Sequence, residues 1–162
     1  MKRVLILAAL LLGLVAGAGP AAAEPAGPKG KPGVIADFTL TDVCPFDVEL
    51  VATGKGKTID LPGDRVILPS PGLKVTFTNA VTRESVSYVA TGTIRQQTLA
   101  NGDVVSTVTG RNTLINDSES DRPGIYLVVG TFHFTLDEDG NEVEVFNLDG
   151  PGRVTDVCAI LA

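Results

Sequence analysis

Between Val34 and Leu161 no long stretch repeats its apolar residues at the three- and four-residue spacing of a helix, whereas β-branched residues alternate with polar ones in short runs. Gly, Pro, Asn and Asp interrupt those runs throughout, and each favours a turn. Such a chain is restricted to an all-β fold. Phe46, Val48, Leu50 and Ala52 alternate with Asp47, Glu49 and Thr53, the pattern of a strand with one buried face, and residues 54–57 then supply a turn. Further strands are expected over Lys57–Leu61, Arg65–Leu68 and Leu73–Thr78.

Asn101-Gly102 marks a hairpin between Ser85–Leu99 and Val104–Ile115. A two-residue turn facing Ala100 with Asp103 sets Gly92 opposite Arg111 and Thr93 opposite Gly110. Both strands exceed the usual length, so bends are expected where glycines interrupt them. In Ile125–Leu136, one face carries Tyr126, Val128, Gly130, Phe132, Phe134 and Leu136. On the other, Ile125, Leu127 and Val129 give way to Thr131, His133 and Thr135. The first half is therefore expected to be buried on both faces and the second half on one. Val143–Phe146 and Arg153–Leu161 complete eight or nine strands, whose regular spacing favours a single antiparallel β-barrel, with a β-sandwich as the alternative.

Residues 1–23 have a different character. Lys2 and Arg3 precede an apolar run from Val4 to Val15, and Ala21-Ala22-Ala23 suits cleavage by signal peptidase. The run is shorter than the roughly 20 residues a membrane span needs, so residues 1–23 are expected to be a secretory signal and the protein to be extracellular, without a transmembrane segment once cleaved. Residues 24–33 hold three prolines and three glycines and form a spacer, leaving 34–162 as one β domain. The whole chain carries a formal charge of −6; Lys2 and Arg3 leave with the signal and no acid does, so the exported part stands at −8. A surface of that sign repels phosphate backbones, which argues against nucleic acid as a partner.

The two cysteines, Cys44 and Cys158, stand near opposite ends of the domain in a chain bound for an oxidising compartment, and are expected to form a disulfide. Thr41-Asp42-Val43-Cys44 recurs as Thr155-Asp156-Val157-Cys158, and a bridge between the copies would set the first and last strands side by side.

Cys-Pro-Phe at 44–46, Ser-Pro-Gly-Leu at 70–73, Thr-Gly-Arg-Asn at 109–112, Val-Val-Gly-Thr-Phe at 128–132 and the closing Gly-Arg-Val-Thr-Asp-Val-Cys resemble small secreted β proteins of actinomycete bacteria. The resemblance spans the exported domain and implies location and fold without implying an activity. A second similarity, carried by long glycine-punctuated strands, is to dirigent and allene-oxide-cyclase-type barrels; it implies a barrel that steers a reactive ligand by shape and assigns no residue.

Motifs for chemistry are sparse. There is one histidine, His133, and no Gly-x-Ser-x-Gly elbow, which weakens a nucleophilic hydrolase reading. Trp is absent, leaving Tyr88 and Tyr126 as the polar aromatics for stacking. Arg111, opposite Gly92 in that register, is a candidate to present its guanidinium to a ligand inside a barrel, with His133 and Tyr88 as further candidates. Asp137, Asp139 and Glu142 form an acidic hairpin tip that a calcium ion would suit, helped by Asp117, Glu119 and Asp121; its spacing is not that of an EF-hand, and a charged turn is the simpler reading. No motif calls for a cofactor. The expectation is a secreted non-catalytic β protein that binds a small ligand or another extracellular macromolecule. The alternatives are a dirigent- or cyclase-type enzyme and a cell-envelope structural protein. Intact-mass measurement of the exported protein is expected to give residues 24–162 less two hydrogens; a mass retaining residues 1–23, or free thiols, would overturn these expectations.

Overall fold

The computed structural model of the chain describes residues 4–6, 33–118 and 120–162. Apart from Val4–Ile6 and Gly33, the expected signal and spacer lie outside the described residues, as does Glu119. Eleven strands and one short helix follow in order: β1 (Val4–Ile6), β2 (Gly33–Leu40), β3 (Val48–Gly54), β4 (Ile59–Leu61), β5 (Arg65–Pro69), β6 (Lys74–Asn79), β7 (Ser85–Val89), β8 (Thr93–Thr98), β9 (Val104–Asn116), β10 (Gly124–Leu136), β11 (Glu142–Asp156) and α1 (Val157–Leu161). They build two antiparallel sheets. The smaller runs β2-β3-β6-β7; the larger runs β11-β10-β9-β8-β5-β4, with β1 pairing Leu114–Asn116 of β9.

The all-β expectation holds, and the larger ladder ends at β11 and β4 without pairing back on itself among the described residues. The expected strand over residues 85–99 is divided. Ala90–Gly92 carries the chain from one sheet to the other, with Ala90 N–H donating to Leu73 O at 2.8 Å and Gly92 O accepting from Ser70 N–H at 3.2 Å. The hairpin register also differs from expectation by one residue. Thr98 pairs with Val104 and Thr93 with Thr109, because the loop is the three-residue kind: Gly102 takes a φ of +91° and Leu99 N–H donates to Asp103 O. Gly92 is thus not opposite Arg111, which pairs with Val129.

The disulfide joins Cys44 to Cys158, 114 residues apart in sequence. On the chain-entropy account it stabilises the fold by about 5 kcal/mol. It does not set the first and last strands side by side, since β2 and β11 lie in different sheets; it ties the bend after β2 to α1. The chain end expected as strand is helical from Val157, where Asp156 Oδ1 caps Ala159 N–H at 3.0 Å. Val157, Cys158 and Leu161 then bury one helical face, and the buried Asn79 side chain donates to Leu161 O at 2.9 Å.

Two cores flank the larger sheet. On one side Leu50, Val75 and Phe77 of the smaller sheet pack with Ile115, Ile125 and Leu127 and with α1. On the other, Leu68, Ile94, Val108, Leu114, Val128, Phe132 and Phe134 form a second cluster. This second cluster draws on both halves of β9 and β10, so the sheet curls with that face concave. Gly110 and Gly130 pair directly across the bend, at φ +87° and +136°, and Gly130 stands in the concave row between Val128 and Phe132. With no side chain there, the two halves close on each other. The curl brings Ser120, from the loop at one end of β10, to Glu142 at the other, with the hydroxyl donating to Glu142 Oε2 at 3.0 Å.

The bend depends on a third glycine. A Cβ at Gly92 would lie 2.0 Å from the amide nitrogen of Asn112, whose side chain donates to Thr109 O at 3.0 Å. Gly92→Ala is expected to destabilise the protein by about 2 kcal/mol or more, read from the urea midpoint. The double variant with Asn112→Ala should lose less than the sum of the two single losses; strict additivity would exclude the contact.

Candidate functional site

The curl divides the convex face of the larger sheet into two environments. Over the first half of β10 it is covered by the smaller sheet, which buries Ile125 and Leu127; beyond Gly130 it is free of that cover, and Thr131 and His133 take the equivalent positions. The double burial followed by single burial expected of this strand holds through Thr131 and His133, while Thr135 near its end is buried.

Rows across the uncovered half follow from the register. Ile67, Arg95, Thr107 and His133 form one, and Arg65, Gln97, Val105 and Thr135 the next. Alternation along β5 and β8 puts Arg65 and Arg95 on this same face, diagonal to each other on adjacent strands. A hollow of about 340 Å³ opens here, with Leu61, Ile67 and Val105 as an apolar floor and Arg65, Arg95, Gln97 and Thr107 as polar walls. Arg65 Nε donates to Pro62 O at 2.9 Å, which holds the root of its guanidinium. Among the described residues neither guanidinium is ion-paired, whereas Arg83 on the smaller sheet is paired with Glu49. In a chain of net negative charge this hollow is locally cationic. Thr107 Oγ1 and His133 Nδ1 are 3.1 Å apart, so His133 holds one wall of the hollow and lies beside it.

The other residues singled out from sequence fall elsewhere. Arg111 is exposed on the convex face where the cover ends, because its strand position has the same parity as Thr109 and Thr113. It is brought close to Tyr88 of β7: burial pushes the Tyr88 phenol above its usual value, and the Arg111 guanidinium pulls it partly back. Asp137 is committed to its turn. Its carboxylate accepts from Asp139 N–H (3.0 Å), Asn141 N–H (2.7 Å) and Asn141 Nδ2 (2.8 Å), and the Asn141 side chain above all holds its carboxyl below the ordinary range. Asp139 is exposed, and Glu142 is drawn away toward Ser120 and the concave face. Among the described residues no three His, Cys, Asp or Glu side chains gather as metal ligands.

Arg65 and Arg95 are the site residues that the sequence reading missed. Their signal was present in Thr93-Ile94-Arg95-Gln96-Gln97, where polar residues occupy alternate positions around a buried Ile94. What was missing was the pairing of β5 with β8, which sets Arg65 beside that row.

Arg111→Ala is expected to raise the Tyr88 phenol further, seen as a later rise of phenolate absorbance in one of the two tyrosines; an unchanged titration would separate the pair. No family model, curated protein or solved structure matches this chain.

Proposed function

We propose that this is an exported, non-catalytic binding protein whose ligand is a small organic anion with a short apolar body, held in the hollow between β5, β8 and β9. The observation that carries the reading is the pair of guanidinia, Arg65 and Arg95, on one sheet face above an apolar floor, with no carboxylate answering them among the described residues. A guanidinium offers two parallel donors that match a carboxylate, sulfate or phosphate edge, and Gln97 and Thr107 add neutral donors. Leu61, Ile67 and Val105 supply area for an alkyl or aryl portion. The volume falls at the lower end of the roughly 300–1,000 Å³ typical of small-ligand sites. Export is supported by the N-terminal apolar run and by the disulfide, which persists in oxidising compartments. The curl of the larger sheet around Phe132 and Phe134, bridged by Ser120 and Glu142, supports reading that sheet as a partly closed barrel.

A second reading rests on Thr107 and His133, a hydroxyl and a base within hydrogen-bond reach, which is the minimal pair for nucleophilic attack. Turnover of an activated ester by the wild type, lost in His133→Ala, would favour it over binding alone.

Titration calorimetry with octanoate, and with octanol as the uncharged control, tests the binding reading. Octanoate is expected to bind at least tenfold more tightly than octanol, and Arg65→Gln with Arg95→Gln to abolish that difference. The preference should weaken with added salt, since the hollow is open to solvent. Equal affinity for acid and alcohol, or a double variant that binds octanoate like the wild type, would overturn it.

A further inference from the structure

The repeated Thr-Asp-Val-Cys is unused by the hollow described above, yet the fold gives its two copies related places. Each Cys is half of the same disulfide, each Val is buried (Val43 at 7 % exposure, Val157 at 0 %), and each Asp, two residues before its Cys, is exposed. A groove of about 500 Å³ runs along the bridge. Its walls are apolar, from Val43, Phe46, Pro123 and Ala159, and Asp42 and Asp156 both line it.

We infer that this groove is a binding site for a small organic cation with an apolar body, a primary ammonium on an aryl or alkyl stem, with Asp42 and Asp156 as its counter-charges. Size argues for a small molecule over a protein: the volume suits a single compact ligand, whereas a stable protein interface covers roughly 800 Å² on each partner. Charge argues for a cation. Both acidic residues line one groove, and they sit in different chain segments that the disulfide holds together. Asp156 keeps one oxygen on Ala159 N–H at 3.0 Å, which fixes the carboxylate and leaves the second oxygen for a ligand. Arg122 is a cation near this end of the molecule. It and Asp156 both act on the Tyr126 phenol, which burial chiefly raises, and the effect of Asp156 exceeds that of Arg122. Tyr126 itself turns aside, its hydroxyl donating to Pro123 O at 2.9 Å. Gly124, which lines the groove, has no side chain to press on that phenol; a Cβ there would stand 3.2 Å from it.

The test is a charge series on the intact protein followed by nuclear magnetic resonance: phenethylammonium, phenethyl alcohol and phenylpropionate. Phenethylammonium is expected to shift the amides of Asp42, Val43, Cys44, Phe46 and residues 156–159, with at least tenfold tighter binding than the alcohol, and the carboxylate to leave those amides unmoved. Asp42→Asn and Asp156→Asn together should remove the preference for the ammonium. Both substitutions preserve the fold, because Asn tolerates the positive φ of Asp42 (+58°) and still caps the Ala159 N–H. Arg95→Gln, in the other hollow, should change nothing here. The proposal fails if ammonium and alcohol bind alike, if the double Asn variant binds as the wild type does, or if the shifts map to residues outside the groove. It fails equally if only a basic peptide binds, since the occupant would then be a protein.

Discussion

The pairing of Gly110 with Gly130 across β9 and β10 is the constraint on which the rest of the molecule depends. Thirteen-residue strands in a regular twisted sheet would place Leu114 and Phe134 far apart. With bare backbone at the centre of the concave row, both halves of the sheet contribute to one cluster, and Phe132 at 0 % and Phe134 at 1 % exposure show how fully it closes. The positive φ angles of both glycines are cheap only without a Cβ, so the bend and the residue type require each other.

The curl in turn decides where chemistry is available. A convex face half covered by a second sheet has one dry end and one wet end, and β10 changes composition at the boundary, from Leu127 and Val129 to Thr131 and His133. Arg65 and Arg95, with no ion partner among the described residues, stand at the wet end, where water solvates them. The covered end is clamped by α1 and the disulfide. There the repeated segment makes a second groove of opposite charge. The two hollows therefore differ in sign because they lie at opposite ends of one bent sheet and are walled by different segments.

How much of this was legible varied with the range of the interaction. The two-sided burial of early β10 followed from its own alternation, and the Cys44–Cys158 bridge from the cysteine count and the expected compartment. The hairpin register was off by one because Asn-Gly serves both two-residue and three-residue loops, and only the pairing of Thr98 with Val104 distinguishes them. The helix at Val157 was hidden by its β-branched first residue; the Asp156 cap and burial between the two sheets outweighed that propensity. Arg111 illustrates the limit for site prediction. Its expected place opposite Gly92 rested on a hairpin register that differs by one residue, and which face of the sheet lies outward is decided by packing against the second sheet.

By itself the sequence determined the class of fold, the turn positions, the disulfide and the switch of environment along β10. Each is set by residues close in the chain or by a composition with few solutions. Only the tertiary structure decided that the strands divide into two sheets, that the larger one curls upon itself, and that Arg65 and Arg95 share a hollow while Asp42 and Asp156 share a groove. Those outcomes rest on which strand edges pair and on how side chains tens of residues apart fill one concave core. Alternation states that a residue faces one side or the other, and only packing determines what lies there.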